Sequence, residues 1–284
     1  MDKSKKYLIT GGSGFLGNAL IGRLVDTGFY NLVVIARNEG ELIKLQDKFP
    51  MVEIIAGDIA DSYICEKACH DVDGIFHLAA FKHVRMAETN TYRCVRSNIV
   101  GTINLLNMSL KYRPDIFVLI STDKAANIRG IYGATKLIGE KLAEEFSNVN
   151  NKTQYRIVRY GNVWNSTGSF ITKWRPLMSA GQEVIVTDPK ATRFFFTVDD
   201  AVSLIFRSID GGKDAKPFVP KMKAVSMGTV LKACQEVYGK CPVKIIGLQA
   251  GENMHETLDG KAFSNEVEQY TKDDFIKEFL CHTK

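Results

Sequence analysis

Two clusters in the middle of this 284-residue sequence carry side chains suited to proton transfer. Tyr132-Gly133-Ala134-Thr135-Lys136 places a phenol and an ammonium four residues apart, which on a helix puts them on one face about one turn apart. A tyrosine is a poor base near neutrality, with an ordinary pKa of about 10, and a neighbouring positive charge favours its phenolate. Just upstream, an apolar run ends in Ser121-Thr122-Asp123-Lys124-Ala125, so a hydroxyl, a carboxylic acid and a second ammonium emerge together at the end of a strand. Such a set can work as acid and base on adjacent carbons. Singly, each residue also has a plain reading: Tyr132 as a packed helix residue, Asp123 as a turn cap, Lys124 as a solvated loop residue.

A second constellation lies at the N-terminus. Thr10-Gly11-Gly12-Ser13-Gly14-Phe15-Leu16-Gly17 follows the first apolar run and opens an amphipathic stretch. Gly11, Gly14 and Gly17 have the spacing that allows a tight turn, close approach of the backbone to a pyrophosphate, and free helix N–H groups facing that anion. About 20 residues past such a motif, an acidic side chain usually holds the ribose 2′-hydroxyl. Here the second run ends Ala36-Arg37-Asn38-Glu39. Either Arg37 pairs with a 2′-phosphate, which favours NADP, or Glu39 takes the ribose, which leaves NAD possible. Gly57-Asp58-Ile59 ends the third run, where Asp58 can accept from an adenine amine, and Ala79-Ala80 ends the fourth, beside the nicotinamide path. Both are also compatible with ordinary turn chemistry.

The elements that must position these groups are legible in the pattern. Short β-branched runs at 7–10, 32–36, 52–56, 74–79, 116–121 and 155–160 alternate with helical stretches near 15–27, 39–48, 61–70, 88–111 and 131–147. That alternation predicts an α/β fold of the Rossmann type, a doubly wound parallel sheet covered on both faces. Beyond about residue 165 it weakens and is punctuated by Pro176, Gly181, Pro189, Gly211 and Gly212. The expected division is a dinucleotide-binding domain over 1–165 and a smaller substrate-binding lobe over 166–284, interleaved with the first.

Composition narrows the function class. With 37 basic and 32 acidic residues the net charge is +5, too small and too dispersed for a nucleic-acid partner. Cys65, Cys69, Cys94, Cys234, Cys241 and Cys281 form no CxxC pair, so no metal site is expected. The N-terminal MDKSKK lacks a signal-peptide pattern, and no apolar run reaches the ~18–20 residues of a membrane span. A cytoplasmic protein with no membrane partner is the expectation.

Together TGGSGFLG, AAFKHV, SNIVGT, STDKAAN, YGATK, RYGNV, TRFFFT and GENMHE resemble the extended short-chain dehydrogenase/reductases. Within them the chain is most similar to the inverting UDP-N-acetylglucosamine 4,6-dehydratases that start pseudaminic acid synthesis, from about residue 6 to 257. The diagnostic part is STDKA followed by YGATK; ordinary dTDP-glucose 4,6-dehydratases carry Asp-Glu there, and epimerases no such pair. The resemblance implies that Tyr132 deprotonates the C4 hydroxyl, NADP⁺ takes the hydride, and the resulting ketone acidifies C5. Lys124 is then the C5 base and reprotonates that carbon from the other face, Asp123 is the acid at C6, and the hydride returns to C6. For Lys124 to act as a base its pKa must fall well below about 10.4. Thr122 is expected on the C4 oxygen and Lys136 on the nicotinamide ribose. The cofactor set implied is Gly11, Ser13, Gly14, Phe15, Gly17, Arg37, Asp58, Ile59, Ala79, Ala80, Lys82 and Asn98 with Tyr132 and Lys136. Lys82, Asn162, Arg193 and Glu252 fall where the family binds substrate, Arg193 as a phosphate-pairing guanidinium. Arg159 falls there too, with a structural role as its alternative, and His83 is a candidate by adjacency alone.

The match has departures. Where the family shows an arginine after Gly-Ser, this chain has Trp164-Asn165-Ser166-Thr167-Gly168; where it shows Arg-Pro, this chain has Gln249-Ala250. Losing two charge-assisted bonds to phosphate, at ~1.5–3 kcal/mol each, weakens binding about a hundredfold or more unless Lys173, Arg175 or Lys190 compensates. A UDP-sugar 4-epimerase, which needs Tyr132 and Lys136 but not Asp123-Lys124, and a non-catalytic NADP-binding regulator are the competing readings. The stretches 88–111 and 131–147 also resemble helices that superfamily dimers pack into a four-helix bundle. Leu105, Leu106, Met108, Leu110, Leu137, Ile138 and Leu142 would be its apolar face in a homodimer or larger homo-oligomer, or would simply cover the sheet.

Overall fold

The computed structural model describes residues 1–281. Six apolar runs form β1 (Tyr7–Thr10), β2 (Leu32–Ala36), β3 (Glu53–Ala56), β4 (Gly74–His77), β5 (Ile116–Thr122) and β6 (Gln154–Tyr160). Between them lie α1 (Phe15–Asp26), α2 (Glu39–Lys48), α3 (Ser62–Cys69), α4 (Val84–Thr89), α5 (Thr91–Val95), α6 (Gly101–Tyr112) and α7 (Ile131–Val149). The remaining strands are β7 (Asn162–Val163), β8 (Val184–Val186), β9 (Thr192–Phe196), β10 (Pro217–Phe218), β11 (Ala224–Ser226) and β12 (Val243–Ile245). The remaining helices are α8 (Phe170–Ser179), α9 (Val198–Gly211), α10 (Met227–Tyr238) and α11 (Lys272–Phe275).

The main sheet is seven-stranded and parallel, in the order β10-β6-β5-β4-β1-β2-β3. Because successive strand residues face opposite sides, both faces need cover. Tyr7, Ile9, Leu32, Val34, Val118 and Ile120 pack on one side with Leu20, Ile21 and Leu24 of α1. Leu8, Val33, Ile35, Phe117 and Leu119 pack on the other with Cys65, Leu105, Leu106 and Ala143. The strand order reverses between β1 and β4, opening a crevice at their carboxyl ends. This is the Rossmann architecture.

The chain does not divide in one cut. After β7 and α8 leave the sheet, α9 returns to pack on α1 and β6, and β10 adds the seventh strand. The lobe proper holds the sheets β11-β9-β7 and β12-β8 with α8, α10 and α11. Its core is aromatic: Trp164 lies 5.1 Å from Phe275 and 5.5 Å from Phe195, ring centroid to centroid.

The helix expected over 88–111 is instead interrupted. It breaks at Asn90 and carries a π-helical turn over Arg96–Val100, the wider turn that often marks a functional site. Leu105 and Leu106, expected on an intersubunit face, are fully buried against the sheet, which has first claim on apolar side chains there.

Strand β4 is tied to its neighbours by a buried histidine. His77 bonds Thr10 through Nδ1 at 2.8 Å and Thr102 through Nε2 at 2.9 Å. Burial, with Lys136 nearby, lowers its pKa to about 3, so folded His77 is neutral while the unfolded chain takes up a proton below about 6.5. The folded state therefore carries no penalty from this residue above pH 6.5 and loses stability as pH falls towards 3. Denaturant unfolding of the wild type and His77→Gln should differ most at neutral pH. The gap should shrink by up to ~1.4 kcal/mol per pH unit below about 6.5; a pH-independent gap would refute this account.

Candidate active site

The crevice at the strand ends is a cleft of about 610 Å³ that runs from the glycine turn to the lobe. Gly11, Ser13, Gly14, Phe15, Gly17, Arg37, Asp58, Ile59, Ala79, Ala80 and Lys82 all line it, as do Thr122, Lys124, Tyr132, Lys136 and Asn162. Gly11 has a φ of +69°, and a Cβ there would stand 2.9 Å from the Ala79 backbone. Only glycine lets the turn curl over the end of β4. Gly14 starts α1 without a side-chain cap, leaving the first-turn N–H groups for an anion. Arg37 makes no ion pair among the described residues and lines the cleft, whereas Glu39 does not. These residues fit a dinucleotide: a backbone cradle for the pyrophosphate and a cation near the ribose.

Strand β5 ends in Thr122, and a single 3₁₀ turn, Asp123–Ala125, carries the next two functional side chains. The Thr122 hydroxyl donates to Asp123 Oδ1 at 2.8 Å, and Lys124 Nζ donates to the same oxygen at 3.1 Å. Helix α7 starts against this turn. At Gly133 a Cβ would lie 2.3 Å from the Lys124 carbonyl oxygen, so the glycine inside YGATK is what allows Tyr132 to approach Lys124.

Three long-range fastenings hold α7. Glu88 Oε1 accepts from the Ile131 N–H at 2.8 Å, capping the helix from α4. Asn98, on the π-helical turn, accepts from Phe81 N at 2.7 Å and donates to Phe81 O at 3.1 Å and Thr135 Oγ1 at 3.0 Å. Its amide is spent joining the loop after β4 to α7, so it stands behind the cleft wall rather than on the cofactor path. Buried Arg159 pairs with both oxygens of Glu140 and donates to Leu258 O at 2.8 Å, so it is structural and not a phosphate ligand.

The electrostatics depart from the sequence expectation. Burial tends to discharge Lys124, but Asp123 and then Glu256 outweigh it, and the net shift is upward. Lys124 Nζ lies 3.5 Å from Glu256 Oε1, so in the free protein it is a held ammonium, not the depressed amine expected. Burial pushes Tyr132 up to about 12, and the cation that opposes this is Lys124 rather than Lys136. Lys136 is itself lowered to about 8 by burial, against the pull of Glu140.

Other expected contacts are relocated. Asp123 is fully buried, with Oδ2 lacking a partner, and it reaches the cleft through the Thr122 and Lys124 groups it binds. Arg193 donates to Thr192 O at 2.8 Å and Met254 O at 3.1 Å and faces Glu256 at 3.9 Å, so it clasps the GENMHE segment instead of lining the cleft. Glu252 accepts from Gln249 N at 3.2 Å, closing a turn of its own. Arg175 stacks on Tyr238, so of the candidate compensating cations it is committed elsewhere. Glu256, four residues beyond Glu252, is the carboxylate that the sequence reading missed; GENMHE contains two glutamates, and nothing local says which one turns inward. Trp164 Nε1 and Ser169 Oγ, from residues lining the cleft, are buried with no hydrogen-bond partner among the described residues.

Residues 7–278 match a family described as polysaccharide biosynthesis protein. The chain belongs to this family. Among its relatives, the chain is 33% identical over 282 residues to the inverting UDP-N-acetylglucosamine 4,6-dehydratase of Campylobacter jejuni, covering 95% of this chain and 83% of that one. It is also 31% identical over 263 residues to a UDP-glucose 4-epimerase of Rickettsia canadensis, covering 89% and 77%. The structure of Pen from Bacillus thuringiensis superposes with a TM-score of 0.92 at 26% identity, over 98% of both chains. As a family member the protein is an extended short-chain dehydrogenase/reductase by fold, with a nucleotide-sugar and polysaccharide-biosynthesis context. No helix among the described residues is long and apolar enough to cross a membrane.

Proposed function

We propose that the protein is an NADP-dependent sugar-nucleotide 4,6-dehydratase that inverts C5, acting on UDP-N-acetylglucosamine or a related UDP-sugar. The observation that carries this reading is Lys124, held beside the cleft by Asp123 and Glu256 and facing Tyr132. A 4-epimerase would need Tyr132 and Lys136 alone and would leave this costly buried charge cluster without a task.

When bound, the nicotinamide would accept a hydride from C4 and return it to C6. The chain supplies the proton chemistry. Tyr132 takes the C4 hydroxyl proton, with Thr122 beside it and a neighbouring ammonium favouring the phenolate. Transfer of one proton from Lys124 to Asp123, across their 3.1 Å hydrogen bond, produces a neutral amine and a neutral acid together. The amine removes the C5 proton, whose bonding electrons move towards the C4 carbonyl. The C6–O bond then breaks, and the proton held by the pair goes to the departing hydroxyl, so one water leaves. Lys124 finally returns a proton to C5. Asn162 and Lys82, both on the cleft, are assigned to the diphosphate and sugar, although the Asn162 amide also donates to Phe194 O at 3.1 Å. Arg37 is assigned to the 2′-phosphate of NADP.

A homo-oligomer is part of this proposal. Tyr92, Val100 and Ile138 remain 73%, 36% and 43% exposed on α5, the π-helical turn and α7, a more restricted apolar face than the sequence suggests. Light scattering at micromolar concentration should give at least a dimer, and a monomer would refute it.

In deuterated water, UDP-N-acetylglucosamine should lose one water and gain deuterium at C5, read by NMR and mass spectrometry. Lys124→Ala should slow water loss at least ~100-fold and C4 oxidation by less, since the cation favouring the Tyr132 phenolate goes with it, and unchanged turnover would overturn the assignment. Arg37→Ala should weaken NADP binding by roughly 10–100-fold, with NAD unaffected, in a fluorescence titration. Equal losses for both cofactors would remove Arg37 from the 2′-phosphate.

A further inference from the structure

Glu256 has so far appeared only as one of two carboxylates holding Lys124, with no part in the chemistry, yet it is 1% exposed and stands at the centre of the charged cluster. It is positioned from three sides. Its N–H donates to Ser264 Oγ at 2.9 Å, and Asn253 Nδ2 donates to its Oε2 at 3.1 Å. Its other oxygen, Oε1, accepts no hydrogen bond and points at two cations, 3.5 Å from Lys124 Nζ and 3.9 Å from Arg193 Nε. The charged and titratable groups facing Lys124 are therefore Asp123 on its own turn, Tyr132 on α7, Arg193 on β9 and Glu256 on the C-terminal segment. The adjacent His255 is turned away, bonded to Thr192 Oγ1 at 2.8 Å.

We propose that Glu256 is a positioning residue for the C5 step, the fixed counter-anion against which Lys124 takes up the substrate proton. This rests on the dehydratase reading. In that step the C5–H bond breaks, its electron pair moves towards the C4 carbonyl, and a new N–H bond forms at Lys124 Nζ. Positive charge grows on a nitrogen removed from bulk water, where a preorganised anion stabilises it most. Asp123 cannot fill this role alone, because on the same reading it is the neutral acid at that moment. A second carboxylate must stand on the other side, and Glu256 Oε1 does, 3.5 Å from Nζ.

The sign of the test follows. Glu256→Gln keeps the shape but removes the anion, so the ammonium is less favoured and Lys124 becomes a weaker base that is free at lower pH. The wild type and variant are compared as holoenzymes with UDP-N-acetylglucosamine in deuterated water. C5 deuterium uptake is followed across pH, and C4 oxidation is followed separately by cofactor absorbance. The acid limb of C5 exchange should move down by at least one pH unit, and its plateau should fall about tenfold or more with C4 oxidation preserved. Glu256→Asp should recover part of both changes. Lysine Nζ resonances of the free protein, titrated by NMR, should show Lys124 deprotonating at lower pH in Glu256→Gln. An unmoved acid limb, or equal loss of C4 oxidation and C5 exchange, overturns the role of Glu256 while leaving the dehydratase reading intact. A wild type that exchanges no C5 proton on any UDP-sugar overturns both.

Discussion

An ammonium removed from water between two carboxylates is the constraint around which the rest of this molecule is arranged. Isolated, the charge on Lys124 would be expelled or neutralised by burial. Together they are tolerated only while the turn after β5 and the distant GENMHE segment stay in register. Breaking any one contact would strand a buried charge. The surrounding fastenings are correspondingly dense, from Glu88 capping α7 to the Glu140–Arg159 pair beneath it.

The same requirement accounts for where the chain spends glycine. At Gly133 the helix backbone presses on the Lys124 carbonyl, and at Gly11 the glycine turn presses on the Ala79 backbone just past β4. Both are contacts between backbones, where even a methyl group would force elements apart. The glycine turn and the Asp123–Lys124 pair are thus brought to one cleft by close packing of main chain, and the side chains need only short reaches.

The lobe contributes more than a wall. Its aromatic core around Trp164, Phe195 and Phe275 fixes β7 and β9, and β9 carries Arg193 to the back of the charged cluster. The arginine thereby balances Glu256 and steadies the segment after Met254. The cleft side of the lobe is lined instead by uncharged residues, Trp164, Thr167 and Ser169 among them.

Much of this was readable before any coordinates. Near-continuous apolar runs and intervening amphipathic stretches are local properties, so β1 to β6 and the parallel sheet followed from residues 7–160. Contiguous motifs were equally legible: the glycine turn, Arg37, Thr122 to Lys124, and Tyr132 with Lys136 all reach the cleft or its floor. What local pattern could not carry was partnership across long stretches of chain. Whether Glu252 or Glu256 turns inward depends on how Ser264 and Asn253 pin that segment. Whether Arg159 meets phosphate depends on Glu140 reaching it first, and Lys124, held as an ammonium first by its neighbour Asp123, meets its second carboxylate 132 residues away in sequence. Hydrophobic periodicity sets which face of an element is buried; only the docking of lobe on sheet decides which charges meet there, because electrostatic pairing acts through space and leaves no period in the chain.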